Sequence, residues 1–231
     1  MGDLARGLQQ AVRLILSADP ELLGIIFLSL RVTGLALLIS TLTGVPLGAA
    51  LGLARLRGQG LITALLYTGM GLPPVVVGLF VYLMLSRSGP FGMLGWLFTP
   101  NAMIAAQTII SFPMVTGLTM TAVRSVDPAL RVQVRSLGAT RVQEAWSVLA
   151  EARIGVVTAI VAAFGSIVSE VGAVMLVGGN IAGKTRVLTT AIVLETRQGE
   201  FAFAIALGVI LLALAFTANL ALLRLQGKLQ L

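Results

Sequence analysis

A chain of 231 residues that is 57% hydrophobic and only 11% charged, with a mean hydropathy of +0.99, is not composed like a soluble domain, which is about 45–50% apolar and about 25% charged. It contains no cysteine and no histidine, which excludes a disulfide framework, thiol chemistry and any His- or Cys-built metal site. The net charge of +7 does not mark a nucleic-acid binder, because the basic residues sit in short links between apolar runs, as the positive-inside bias requires of a membrane protein.

Residues 1–17 lack a basic stretch ahead of a continuous apolar run and lack a small-residue cleavage site, so no cleavable signal is expected there. Leu4, Leu8, Ala11, Val12, Ile15 and Leu16 share one helical face, and Asp3, Arg6, Gln10, Arg13 and Ser17 the other. This period fits an amphipathic helix over 1–18, either lying in the membrane interface or packed on its own bundle. A spanning helix needs about 20 mostly apolar residues, and five runs qualify: 21–53, 61–86, 101–123, 154–177 and 201–223. The first opens on Asp19-Pro20 and the third on Thr99-Pro100, each a capping residue followed by proline at the first helical position. In the first run Ser40, Gly44, Gly48 and Gly52 recur every fourth residue, a stripe that lets helix backbones approach closely in lipid. Pro46 is expected to bend that helix. Gly69, Gly71, Pro73 and Pro74 interrupt the second run, and Pro113 lies within the third. Such breakers mark a transport pathway or serve as packing kinks, since backbone groups freed in lipid must find partners in protein or in a water-filled cavity.

The basic residues set the orientation. Arg55, Arg57, Arg124, Arg131, Arg135, Arg141, Arg153, Arg224 and Lys228 fall on one side, in the first and third links and the C-terminal tail. Arg6, Arg13, Arg87, Lys184, Arg186 and Arg197 fall on the other, and Arg31 lies within a span. The bias places the third link and the C-terminus in the cytoplasm and the N-terminus outside.

That third link, 124–153, is too long for a plain connection and too well punctuated for a linker. Asp127-Pro128 reads as a helix start, Gly138 as its stop, and Thr140 with Gln143 as a capping box opening a second helix. The expected unit is helix, tight turn, helix: a basic element suited to dock a cytoplasmic partner and pass on rigid-body motion, or else a solvated hairpin.

The stretch Ser136-Leu137-Gly138-Ala139-Thr140, with Val148 ten residues after the glycine, resembles the cytoplasmic signature of ATP-binding-cassette (ABC) importer permeases. It departs where the family has a Glu-Ala-Ala triplet (here Val132, Gln133 and Val134) and where it ends in Leu-Pro (here Ala150 and Glu151). The run 72–79, Leu-Pro-Pro-Val-Val-Val-Gly-Leu, resembles the second-span motif of molybdate and tungstate permeases. So does the run from Glu170 through Gly172, Ala173, Gly178, Gly179 and Asn180 to Ile181, and its continuation over 182–192 is most similar to the tungstate branch. The resemblance implies an all-α, methionine-importer-type permease of about five transmembrane helices over 19–231. It implies a homodimer completed by cytoplasmic ATPase subunits and an extracytoplasmic substrate-binding protein, with ATP and Mg2+ held by the ATPase and no cofactor on this chain. The cargo would be tungstate or molybdate. Leu130, Arg135, Leu137, Gly138, Ala139 and Thr140 become the expected ATPase-coupling residues. Pro73, Pro74, Glu170, Gly172, Gly179 and Asn180 become the expected pathway or gate residues.

Two local features need separate readings. Gly178 to Thr185 matches the P-loop pattern letter for letter, but a P-loop lies between a strand and a helix and works with a magnesium-binding acid. This stretch follows a membrane span on the external side, and Asp3, Asp19 and Asp127 end no apolar strand. Glu170 lies inside a span, where a charge costs about 2.5–3.5 kcal/mol on insertion scales, and a bare carboxylate would repel a dianion. Either it pairs with Arg31 as a structural or gating lock, or it is protonated or helix-capped without a partner. No paired carboxylates or nucleophile–base set point to catalysis. A self-contained secondary transporter or channel is the competing class; it would require a coupling-ion site built from several intramembrane acids or an inverted repeat.

Overall fold

The computed structural model describes residues 2–17, 19–54 and 57–228, so Arg55, and the side chains of Asp3, Leu4, Ala11, Ile15 and Lys228, lie outside what is described. The described chain is helical: α1 (Gly2–Ser17), α2 (Pro20–Leu53), α3 (Gln59–Met70), α4 (Pro74–Leu85), α5 (Pro100–Arg124), α6 (Pro128–Ser136), α7 (Arg141–Glu151), α8 (Arg153–Val168), α9 (Gly172–Gly178), α10 (Leu188–Gln198) and α11 (Phe201–Lys228), with one 3-10 turn at Gly92–Leu94. Among the described residues α2, α5 and α11 are each long and apolar enough to cross a membrane, and two bent helix pairs raise the number of spans to as many as five. The windows of α2 and α11 are only 22% buried against 61% for α5. Side chains such as Phe27, Leu42, Leu212 and Phe216 therefore stay uncovered, an arrangement that lipid solvates and water does not.

The chain forms two units. One comprises Met1–Ala36, Pro73–Gln107 and Ile167–Ala221. Its α2 begins as the sequence predicts, with Asp19 Oδ1 accepting the N–H groups of Glu21 and Leu22 at 2.9 and 3.0 Å. Its core joins Leu22, Leu188, Ala191, Leu207 and Ile210. One expectation is corrected here. The fourth run is not one helix: α8 stops at Val168, and α9 starts again at Gly172. The carbonyls freed at this break are taken up, as a break in lipid requires. Gln107 Nε2 donates to the Ile167 carbonyl at 3.0 Å, and Thr189 Oγ1 to the Glu170 carbonyl at 3.1 Å. The link 178–200 contains a helix of its own, α10. Thr190 Oγ1 accepts the Val187 N–H at 3.1 Å, Ser29 Oγ accepts that of Leu188 at 2.9 Å, and Gly199 ends the helix at φ +83°.

The other unit comprises Leu37–Leu72, Thr108–Ser166 and Leu222–Leu231. Here the small-residue stripe of α2 meets α5. Ser40 Oγ lies 2.7 Å from Ser111 Oγ, and a Cβ on Gly44, Gly48 or Gly52 would collide with Thr116, with the Thr116 carbonyl and Thr119, or with Val123. The helices continue through Pro46 and Pro113. The end of α2 is sealed by Gln59, whose Nε2 donates to the carbonyls of Leu51 and Ala54 at 3.0 and 2.9 Å. These are among the orphan acceptors that every helix C-terminus leaves.

Candidate functional site

The third link folds as its punctuation predicts. Asp127 Oδ1 accepts the Ala129 N–H at 2.8 Å and Pro128 opens α6. Gly138 turns the chain at φ +84°, a conformation that favours glycine. Thr140 and Gln143 form the reciprocal capping box of α7. The feature that sequence reading missed is Glu144. Its side chain is buried, at 4% exposure, and both carboxylate oxygens are engaged: Oε1 accepts from Arg131 Nε at 2.8 Å and Oε2 from Arg135 Nε at 2.6 Å. Arg131 Nη2 also donates to the Leu53 carbonyl at 3.2 Å, which fastens the hairpin to the end of α2. The hydrogen bond from Arg135, then that from Arg131, holds the Glu144 carboxyl below its ordinary range, against burial, which pushes it up. A signal existed: Arg131 and Arg135 are four apart on one face of a short helix, opposite a helix that carries a single acid in its first turn.

Of the expected coupling residues, Leu137 is 88% exposed and Gly138 and Thr140 are exposed at the turn, while Leu130 and Ala139 are half-buried. The Arg135 guanidinium is spent within the hairpin on Glu144. Val132, Leu137, Val142 and Trp146 leave apolar surface on the hairpin uncovered.

The expected pathway residues gather in the first unit. The second run is broken where predicted, with Pro73 capping α4 and its carbonyl accepting the Val76 N–H at 2.9 Å. Helices α4 and α9 pack with almost no separation: a Cβ on Gly78 would lie 2.6 Å from Ala173 Cα, and one on Gly172 2.5 Å from Val75 Cγ2. The structure does not bring Arg31 to Glu170. Glu170 Oε1 accepts the Ala173 N–H at 2.9 Å, so the carboxylate caps α9, while Arg31 is exposed on α2. Gly179 (φ +73°) and Asn180 (φ +50°) turn the chain beyond α9. There the Phe98 N–H donates to the Val177 carbonyl at 2.9 Å, and Asn180 Nδ2 reaches the Thr190 carbonyl at 3.4 Å.

The P-loop look-alike follows helix α9. Buried Thr185, in the position where a P-loop hydroxyl faces magnesium, donates to the Gly178 carbonyl at 2.6 Å and accepts the Ile181 N–H at 3.0 Å. Its hydroxyl closes the loop on itself. Thr185→Val should therefore lower the thermal unfolding midpoint of the detergent-purified protein by several degrees, because two backbone groups lose their partner at a cost of about 1–3 kcal/mol. Thr185→Ser should not. Equal melting of the two variants would show that the hydroxyl closes nothing.

Long apolar helices joined by small-residue contacts, two broken runs with satisfied backbone and a charge-clamped hairpin define a polytopic membrane protein of the permease class. The chain belongs to the family of binding-protein-dependent transport system inner membrane components, which it matches over residues 44–230. It is 46% identical over 203 residues to a probable anion ABC transporter permease of Haloferax volcanii, covering 86% of this chain and 88% of that one. It is 39% identical over 225 residues to the tungstate uptake permease TupB of Peptoclostridium acidaminophilum, covering 97% and 99%. It is 30% identical over 192 residues to the molybdenum permease ModB of Escherichia coli K12, covering 79% and 83%. Among solved structures it is similar in fold to the inward-facing MetNI methionine ABC transporter, with a TM-score of 0.76, 19% identity, and coverage of 90% of this chain and 96% of that one. This matches the methionine-importer-type fold read from the sequence.

Proposed function

We propose that this chain is the membrane-spanning permease subunit of an ABC importer for tungstate or molybdate, working as a homodimer with cytoplasmic ATPase subunits and an extracytoplasmic binding protein. The observation that carries the reading is the self-contained hairpin α6–α7, rigid within itself through Glu144, pinned to α2 through Arg131, and apolar on its uncovered surface. An ATPase would dock there, hold ATP and Mg2+, and move the hairpin as a lever; this chain needs no cofactor of its own. The names of the relatives support the cargo. The exposed row Val76, Leu79, Phe80 and Leu83 on α4, at i, i+3, i+4 and i+7, supports a second copy as partner. The ion would cross between the two copies, past Pro73, Pro74, Gly172, Gly179 and Asn180. The hairpin and C-terminus face the cytoplasm, the N-terminus faces outside, and α1 lies in the interface.

Proteoliposomes test this directly. Vesicles carrying this chain with its ATPase and binding protein should accumulate tungstate only when ATP is present on the hairpin side. Accumulation by this chain alone would make it a secondary transporter or channel. Calorimetry on the binding protein should show tight oxyanion binding, and tight binding of a sugar or amino acid instead would overturn the cargo.

A further inference from the structure

Beside the α8–α9 break the first unit holds a small cavity of about 20 Å³, lined in part by Ser29 and Thr33 of α2, Gln107 of α5, Val168 at the end of α8, and Leu188 and Thr189 of α10. Gln107 and Thr189 are the side chains that take up the Ile167 and Glu170 carbonyls at the break. Ser29 and Thr33 stand one turn apart on one face of α2. Hydroxyls on this helix, those of Ser29 and Thr43, donate to the carbonyl four residues back. That of Thr33 does not: the residue is 4% exposed, and its hydroxyl bonds to no described residue. The neighbouring hydroxyl protons are already committed. Ser29 Oγ donates to the Ile25 carbonyl at 2.7 Å while accepting the Leu188 N–H at 2.9 Å, and Thr189 Oγ1 donates to the Glu170 carbonyl at 3.1 Å. Toward the cavity these two oxygens can only accept.

We infer that this cavity binds one ordered water molecule, which accepts the Thr33 hydroxyl proton and donates to the lone pairs that Ser29 and Thr189 keep. A water needs about 10–15 Å³ and about two to four polar partners, and the cavity meets both conditions. A buried hydroxyl without a partner is costly, and a guest that accepts its proton removes that cost. A bare cation such as sodium would use the lone pairs but leave the Thr33 proton unmet. An anion would meet that proton but face the lone pairs of Ser29 and Thr189. Water both accepts and donates. Held there, it ties α2 to α10 beside the break, among the same side chains that satisfy the broken backbone. The inference rests on none of the claims about ATPase, binding protein or cargo.

The test is synchrotron hydroxyl-radical footprinting of the full chain in nanodiscs, read by mass spectrometry, because radicals formed from a held water oxidise side chains that bulk solvent does not reach. Leu188, 1% exposed and lining the cavity, should be oxidised in the wild type, whereas Val177, 0% exposed and not among the lining residues, should not. Thr33→Val should cut the Leu188 labelling several-fold and lower the unfolding midpoint by several degrees. Thr33→Ser should keep both near the wild type. The sign of the midpoint shift decides between a wet and a dry cavity: in a dry one, Thr33→Val removes a buried hydroxyl that has no partner, and so melts at or above the wild type. Unlabelled Leu188, equal labelling of Leu188 and Val177, or a Thr33→Val midpoint at or above the wild type would each overturn the inference. So would a midpoint that rises with sodium chloride but not with choline chloride, which would assign the cavity to a cation. The wild-type labelling is informative whether or not Thr33→Val folds. None of these readouts involves transport, so the importer reading can fail in the vesicle assay while this one stands.

Discussion

Gly48→Leu should yield no folded, detergent-stable protein, and Gly48→Ala should melt far below the wild type. A Cβ at this position would lie 2.5 Å from the Thr116 carbonyl oxygen, 2.9 Å from Thr119 Cβ and 3.1 Å from the Met120 amide nitrogen. Two of the three obstacles are backbone, so no rotamer change clears them, and α2 must move away from α5. That separation also strains the neighbouring contacts of the stripe: the Ser40–Ser111 hydroxyl pair at 2.7 Å and Gly52 against Val123. In lipid the helices gain nothing from excluding water, so close packing and hydrogen bonds carry their association. Overpacking costs about 1–3 kcal/mol at an adaptable site, and this site is less adaptable than most. The control is on the same helix. Gly24 and Gly34 have nothing within 4 Å of a built Cβ, so Gly34→Ala should melt within a degree or two of the wild type, or slightly above it, because alanine is the better helix former. The measurement is the unfolding midpoint in detergent. Matching losses at Gly34 and Gly48 would show that the stripe is not a packing surface.

What could be read from the sequence was local. The α2 stripe, the Asp19-Pro20 start, the break before Pro74 and the whole punctuation of the third link follow from residues a few positions apart. Each appears in the structure where the sequence places it. What escaped was set by partners far along the chain. No proline marks the break at 169–171; its freed carbonyls are met by Gln107, sixty residues upstream of Ile167, and by Thr189. Helix α10 carries Thr189, Thr190, Ile192 and Val193, β-branched residues that favour helix weakly. Its conformation follows from burying Leu188 and Ala191 against Leu22, Leu207 and Ile210, which no local pattern announces. For Glu170 the sequence left two readings open, a lock with Arg31 or a capped carboxylate, because span hydropathy does not tell which atoms face an acid. The cap on Ala173 favours the second.

Glu144→Gln should loosen the hairpin while leaving the membrane helices assembled. The substitution keeps the volume and removes the charge, so Arg131 and Arg135 are left converging on a neutral amide that accepts at one atom only. Removing one member of a fully buried ion pair costs about 3–5 kcal/mol. Here the arginine side chains are 30% and 60% exposed, and solvent screening reduces the expected cost to about 1–3 kcal/mol. That is enough to release the turn at Gly138, and about tenfold in an equilibrium for each 1.4 kcal/mol. Under the coupling proposal, ATPase co-purification and ATP-driven uptake should each fall by about tenfold or more. Arg131→Lys should reproduce much of the loss, since an ammonium cannot hold Glu144 and the Leu53 carbonyl at once in the guanidinium's fork geometry. The pH dependence has a fixed sign. With its folded-state pKa lowered from the ordinary 4.5, Glu144 contributes stability that is fully present above 4.5 and lost as the pH falls through the lower folded value. Fluorescence of Trp146, two residues away on α7, read in a Trp96→Phe background, should stay flat from neutral pH down to that window and then change. In Glu144→Gln it should lack that step. An unaltered Trp146 signal together with full ATPase binding in Glu144→Gln would mean that the clamp is incidental and that the lever draws its stiffness from elsewhere.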